Sequence, residues 1–452
     1  MTNQSDAADD ALLESALRQA RDTRRLVIGA GTRHDVPGVF SALFESSPSI
    51  IIADDNSFAA AGKDVYDSLR QAGRTVHEPL VLNADGLYAE YSFVTQIQNA
   101  LATNDAIPIA VGAGSINDLT KLAAHLSGRQ YLSVATAASM DGYTAFGASI
   151  THEGSKQTFD CPAPLGVVAD LEVIAAAPEG LNASGYADLV AKCPAGADWI
   201  LADGLGVDPI DEANWQMVQA RLREWIADPA GIQQRDYDAT RRLTMALMVT
   251  GFAMQAACSS RPVSGAEHQF SHLWDMEHHT FQGTTPSHGF KVGIGSLASI
   301  GLYEVLLATD IANLDVEAAV AAWPDAAANE CEIADLFPST ELERKALLES
   351  GMKHLDRDTL LLQLQLLKRE WPRIQERLAS QLIPRAEMHD MLQAAGCPVE
   401  PQQIGISPER LRESYRKAYH IRRRFTILDV IRRTNLWEPT LDQVFASRKS
   451  GA

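Results

Sequence analysis

Two stretches of different periodicity predict an α/β domain with a parallel sheet, followed by an all-α domain. Up to about residue 178, short apolar runs alternate with helical segments, which is the pattern of a parallel sheet covered on both faces. A glycine loop, Gly112-Ala113-Gly114-Ser115, joins one of those runs to a helix. Beyond residue 178, apolar residues recur at helical spacing almost throughout. The expected organisation is a tail and helix over 1–24, an α/β nucleotide-binding domain of Rossmann-like type over 25–178, and a helical domain over 179–452. No linker or repeat separates the parts, so a cleft between them is the expected ligand site.

The elements follow in order. Residues 11–21 have helical spacing. Residues 26–31 and 50–55 are β-branched apolar runs closed by turn residues, as doubly buried strands are. A helix is expected over 57–72, then strands at 107–111, 131–135 and 165–170, with a helix over 117–126 after the glycine loop. In the second half, residues 239–258 and 359–370 read as helices, the latter expected to stop or kink near Trp371-Pro372. Thr340 with Glu343 forms a capping-box pattern, and Ser407-Pro408 a cap followed by proline at the first helical position.

Composition sets limits on function. The chain has 452 residues, 46% hydrophobic and 21% charged, so it is globular. Its formal charge of −19 disfavours nucleic acid and anionic membranes as partners, so an anionic substrate needs a local cationic site. Cys161, Cys193, Cys258, Cys331 and Cys397 have no paired spacing and read as reduced core thiols. The polar, acidic start and the lack of an 18-residue apolar run point to a soluble cytoplasmic protein without membrane partners. Arg422-Arg423-Arg424 reads as a solvated helix face or a subunit contact. Abundant apolar helical surface points to a homo-oligomer, a dimer or larger.

Three segments carry chemistry. The glycine loop lets backbone approach a phosphate at a helix N-terminus, which suits a dinucleotide. Asp54 closes an earlier strand where a carboxylate could accept ribose hydroxyls, which favours NAD; a capping aspartate is the plain alternative. Asp141 lies in a small-residue turn beyond a strand's carboxyl end, either as a turn former or as a holder of substrate hydroxyls against a nicotinamide. His268 and His272, four apart, share a helix face beside Glu267, with His278, His279 and His288 following. Spacing alone offers His268 and His272 as a metal pair, or as an ordinary histidine-bearing helix surface. Asp188 is the expected carboxylate ligand, or else a first-turn acid. Together these segments read as nicotinamide-dependent redox chemistry at a metal centre.

The strings Gly114-Ser115-Ile116-Asn117-Asp118, Thr136-Ala137-Ala138-Ser139-Met140-Asp141-Gly142, Gly185-Tyr186-Ala187-Asp188, Ser264-Gly265-Ala266-Glu267-His268 and Ser287-His288-Gly289 resemble the sn-glycerol-1-phosphate dehydrogenase family. That family lies within a superfamily with glycerol dehydrogenase, iron-containing alcohol dehydrogenase and dehydroquinate synthase. The resemblance implies the dehydroquinate synthase-like fold and an oxidoreductase interconverting dihydroxyacetone phosphate and sn-glycerol 1-phosphate with NAD or NADP. It implies metal ligands at Asp188, His268 and His288, with zinc first and nickel or iron as alternatives. Asp141 and His272 are then catalytic, and the cofactor lies against Asp54, Gly112, Gly114, Ser115, Ile116, Asn117, Asp118, Thr136, Ala137, Ala138 and Ser139. Arg261, Lys156 and Lys291 are candidates for the substrate phosphate. An unphosphorylated alcohol such as glycerol is the alternative substrate.

Overall fold

The computed structural model describes residues 4–449 except 154, 339 and 340. Six strands form a parallel sheet: β1 (Arg25–Gly29), β2 (Ser49–Asp54), β3 (Leu80–Leu82), β4 (Ile107–Gly112), β5 (Leu132–Ala135) and, after a hairpin, β8 (Gly166–Asp170). The hairpin strands are β6 (Ala148–His152) and β7 (Ser155–Phe159), paired antiparallel with Ala148 opposite Phe159. The sheet order is β1-β8-β5-β4-β2-β3. Every ladder is parallel, so the carboxyl ends of β2, β4, β5 and β8 share one edge. The strands β5 and β8 are buried throughout, as continuous apolar runs require.

Three local details differ from the expectations. The helix after the glycine loop is Gly114–Leu126, so it starts three residues early and takes Gly114, Ser115 and Ile116 into its first turn. The segment after β2 is broken: a short turn Asp55–Ser57, a π-helical stretch Phe58–Gly62, then the helix Lys63–Gln71. Pro372 lies inside one helix, Arg357–Gln381. Leu364, Leu367, Trp371, Ile374 and Leu378 keep a buried stripe on both sides of the proline, and that packing outweighs the lost backbone hydrogen bond.

The second part is helical, from Glu179–Val190 to Trp437–Lys449. Ser407 caps the helix Pro408–His420 through the Arg410 N–H, with Pro408 at the first position. Thr340 of the expected capping box lies outside the described residues. Cys161, Cys193 and Cys397 are buried, but Cys258 and Cys331 are exposed, so these two are not core thiols. Helix His288–Ala308 is the one described helix long and apolar enough to cross a membrane; 83% of its apolar window is buried in the fold.

Two glycines set how closely the parts meet. A Cβ on Gly185 would lie 1.8 Å from the Ala138 carbonyl oxygen, and one on Gly289 1.8 Å from the Ser184 carbonyl oxygen. Only hydrogen at these points lets the Asp188 helix touch both the 136–142 turn and the His288 helix. The Ser184 hydroxyl donates to the Ser139 carbonyl at 3.3 Å and accepts the Gly289 N–H at 3.1 Å, and Asn182 accepts the Ala138 N–H at 3.0 Å.

Candidate active site

Asp188, His268 and His288 converge from three helices, their candidate ligand atoms all within 4.8 Å of one another. The partner of each can be traced. Asp188 Oδ2 accepts the Asp141 N–H at 3.1 Å, and its Oδ1 lies 2.6 Å from Lys192 Nζ and 3.6 Å from His268 Nε2. Burial alone would raise the Asp188 carboxyl, but the charge of Lys192 and a bond to His268 hold it far below its ordinary range. Glu267 Oε1 lies 2.7 Å from His268 Nδ1 and accepts the Gly265 N–H. Nδ1 therefore carries the proton, and Nε2 is the nitrogen presented to Asp188. Burial disfavours protonation of His268, yet Asp188 and Glu267 outweigh it and raise its pKa. Burial pushes His288 down to about 3, so its ring is neutral.

One carboxylate and two imidazoles fit a divalent metal held with open coordination positions. Metal binding needs ionised carboxylate and neutral imidazole, and Asp188 and His288 already have those states. Zinc, nickel and ferrous iron all suit this donor set.

Asp141 and His272 flank the cluster. Lys192, fully buried, lies 2.6 Å from both Asp141 Oδ2 and Asp188 Oδ1, so one ammonium bridges two carboxylates. Burial and the neighbouring Asp188 raise the Asp141 carboxyl despite that contact. The His272 ring centroid is 6.2 Å from that of His268 and 6.4 Å from that of His288. Burial, followed by the charge of Arg422, keeps His272 well below its ordinary pKa. It is a neutral ring beside the Asp188–His268–His288 cluster.

A cavity of about 660 Å³ joins this cluster to the sheet edge. It is lined by Gly114, Ser115, Asp118, Ser139 and Asp141 on one side and by His268, His272 and His288 on the other. Other sequence-predicted positions lie behind that wall. Gly112, Thr136, Ala137 and Ala138 are buried at or just beyond the ends of β4 and β5, and Ile116 and Asn117 are buried near the start of the helix after the glycine loop. Asn117 Oδ1 accepts from Ser133 at 3.0 Å and Tyr131 at 3.2 Å, so its side chain ties the helix to β5 rather than facing the cavity. Asp54 Oδ1 accepts the Ser57 N–H at 2.9 Å, the capping role weighed in the sequence. Buried Lys121 donates to the carbonyls of Gly142, Ala145 and Gly147, which fixes the loop after Asp141.

The phosphate candidates separate. Lys156 lines the cavity and pairs with Asp275 at 3.1 Å. Lys291 is buried against the same Asp275, and Arg261 pairs with Asp208 at 3.0 Å. Four further side chains have no site role in the sequence reading. Lys192 stands four residues after Asp188, a helical ion-pair spacing that was readable. Buried Asp198 accepts from the Ala266 N–H at 2.7 Å, the Ile427 N–H at 2.6 Å and the Tyr303 hydroxyl at 2.6 Å. Arg422 and Arg424 line the cavity from a non-helical segment, so the arginine run is not a solvated helix face.

A family model for iron-containing alcohol dehydrogenase matches residues 27–178. A glycerol-1-phosphate dehydrogenase [NAD(P)+] of Geobacillus stearothermophilus is 31% identical over 385 residues, 84% of this chain and 85% of that protein. A protein of the same name from Halalkalibacterium halodurans is 35% identical over 257 residues, 56% of this chain and 64% of its own length, just under two thirds. Among solved structures, glycerol dehydrogenase from Schizosaccharomyces pombe superposes with a TM-score of 0.60 at 14% identity, over 95% of this chain and 91% of that one. That likeness is one of fold.

Proposed function

The chain belongs to the glycerol-1-phosphate dehydrogenase family, and from that premise we propose that it interconverts dihydroxyacetone phosphate and sn-glycerol 1-phosphate. Membership makes it an NAD(P)-dependent oxidoreductase acting on an alcohol. The observation that carries the narrower reading is the Asp188–His268–His288 cluster opening into the same cavity as the Gly114–Ser115 helix start. A divalent ion held by those three residues would polarise the oxygen on C2 of the substrate.

The chain's own groups do the rest. Backbone amides at the start of the Gly114–Leu126 helix suit the dinucleotide's phosphates. Lys192 keeps Asp141 and Asp188 together in a buried site where two bare carboxylates would repel. Asp141 is positioned to orient a substrate hydroxyl. Neutral His272 offers one ring nitrogen as donor and the other as acceptor, which suits passing a proton to or from the C2 oxygen.

The test is turnover of purified protein with dihydroxyacetone phosphate, both glycerol phosphate enantiomers and glycerol, with NAD(H) and NADP(H). Preference for sn-glycerol 1-phosphate is the expected result, and equal or better use of glycerol would overturn it. Asp188→Ala and His268→Ala should each lose bound metal and turnover together. Retained metal with near-normal turnover would end the ligand assignment.

A further inference from the structure

We infer that the phosphate end of the substrate is held by Arg422 and Arg424 with the hydroxyls of Ser260 and Ser264, flanked by Lys156. This rests on the phosphorylated-substrate reading above. Both arginines line the cavity that contains His268, His272 and His288, and so do Ser260, Ser264 and Lys156.

The hydrogen-bond partners of the two guanidinium groups are all neutral. Arg422 donates to the Ser260 hydroxyl at 2.9 Å and the Ser264 hydroxyl at 3.3 Å. Arg424 donates to the Ser264 carbonyl at 2.6 Å, the Ser260 hydroxyl at 3.0 Å and the Ser260 carbonyl at 3.2 Å. Neither forms an ion pair with a carboxylate among the described residues. Other sheltered arginines do: Arg33 pairs with Asp170, Arg261 with Asp208 and Arg432 with Glu332. In a chain with 58 acidic residues against 39 basic ones, an acid-free pair of arginines in a cavity wall is a specific arrangement.

Two adjacent cations without a counter-ion are costly to shelter. Burial lowers the pKa of both guanidinium groups, and for Arg424 the charge of Arg422 comes next. An anion in the cavity would relieve that cost, and a planar guanidinium matches phosphate oxygens in pairs. Lys156 adds charge on the other flank, since its partner Asp275 is shared with Lys291. His272 feels both Arg422 and Lys156, so the positive groups converge on its side of the cavity.

The segment is also held in place before any ligand arrives. Asp198 takes the Ile427 N–H, Arg261 donates to the Phe425 carbonyl at 3.1 Å, and Gln269 accepts from the Thr426 hydroxyl at 3.1 Å. A pre-positioned cradle loses little entropy on binding. Arg423 between them also borders the cavity, but its side chain is 61% exposed and pairs with Glu349 at 3.8 Å, and its backbone N–H donates to the same carboxylate at 2.8 Å.

The experiment compares wild type with Arg422→Ala, Arg424→Ala, the conservative Arg422→Lys, and Arg369→Ala, an exposed arginine outside the cavity, as the control. Steady-state kinetics use dihydroxyacetone phosphate, unphosphorylated dihydroxyacetone and NADH, with inorganic phosphate binding by calorimetry and metal content by elemental analysis. Losing a charged hydrogen-bonding group should raise KM for dihydroxyacetone phosphate by roughly 10- to 100-fold. The preference for the phosphorylated substrate and the affinity for inorganic phosphate should fall by a similar factor. Arg422→Lys should recover part of both, and Arg369→Ala should move neither. An unmoved KM for dihydroxyacetone phosphate in both alanine variants overturns the assignment, and so does a rise confined to the KM for NADH. Should wild type show no preference for the phosphorylated substrate, yet bind phosphate in a way that Arg422→Ala abolishes, the anion cradle stands and the proposed reaction falls.

Discussion

Replacing Glu267 with glutamine separates two effects of one buried carboxylate. Oε1 accepts the Gly265 N–H at 2.6 Å and lies 2.7 Å from His268 Nδ1, which leaves His268 Nε2 facing Asp188. A glutamine carbonyl oxygen keeps both acceptor roles, but the charge behind the imidazole is gone. Loss of such a partner behind a histidine ligand weakens metal binding by about 10- to 100-fold, roughly 1.4 to 2.7 kcal/mol. The second effect has the opposite sign. Burial and the Glu267 charge push the Asp198 carboxyl up to about 7, and Glu267 Oε2 has no hydrogen-bond partner. Removing that like charge should stabilise the metal-free fold by on the order of 1 kcal/mol. The assay is urea denaturation of chelator-treated protein, followed by zinc titration against a chromophoric competitor. Glu267→Gln is expected to resist urea better without metal and to bind zinc more weakly. Zinc affinity within threefold of wild type would refute the orienting role. A metal-free variant less stable than wild type would refute the repulsion.

Three further outcomes follow from the same geometry. An alanine at position 185 must back its Cβ away by about 1.6 Å, from 1.8 Å to the 3.4 Å of ordinary contact with the Ala138 carbonyl. Gly185→Ala should therefore cost about 1–3 kcal/mol in stability and roughly 10²-fold in kcat/KM through displaced Asp188; wild-type turnover in a folded variant counts against this. Lys192→Met leaves Asp141 and Asp188 facing each other in a buried site, at a cost of about 3–5 kcal/mol. Thermal denaturation should then show a larger gain from added zinc in the variant than in wild type, and equal gains would contradict the bridging role. Asp275 is held at about 2 against an ordinary 3.8: burial opposes this, and Lys156 and Lys291 override it. Its contribution is present above pH 4 and is lost as pH falls through 2, so the urea-stability advantage of wild type over Asp275→Asn should shrink by about 2 kcal/mol between pH 5 and 2. A constant difference across that range would rule this out.

What the sequence disclosed, and what it withheld, follows from how each part is stabilised. Strands β2, β4, β5 and β8 are legible because a strand covered on both faces is an unbroken apolar run, whereas β1, expected to be equally buried, is an edge strand that stays partly exposed along its length. The three-residue β3 and the half-buried hairpin β6–β7 have no such run and were missed. The helix does not stop at Pro372, because local proline chemistry says nothing of the buried stripe that carries it onward. In the site, spacing alone favours His268 with His272, since both lie on one helix. His288 comes close only because its own helix packs against the other two, with Gly289 on Ser184, a contact that no local pattern encodes. The resemblance supplied that residue; periodicity did not. The run from Arg422 to Arg424 reads as a solvated helix face or a subunit contact because three consecutive charges usually stay at a surface. The place of Arg422 and Arg424 in the cavity wall depends on a non-helical segment, in which Arg423 between them is the exposed one and pairs with Glu349.

Asp198 explains how such distant stretches of chain come to share one cavity. Its Oδ2 takes the Ala266 N–H in the first turn of the His268 helix, and its Oδ1 takes the Ile427 N–H just after the arginine segment. About 160 residues of chain separate those two amides, yet one carboxyl group fixes both. Burial of that group, with Tyr303 closing its remaining side, leaves little freedom for one segment to move without the other. A small substrate with an oxygen to be polarised at one carbon and an anionic group at the next needs two anchors at a fixed separation. A tether between the His268 helix and the cationic segment meets that need more rigidly than two independent loops would. Asp198 thereby fixes, from the core beneath the cavity, the separation between the His268 helix and the arginine segment.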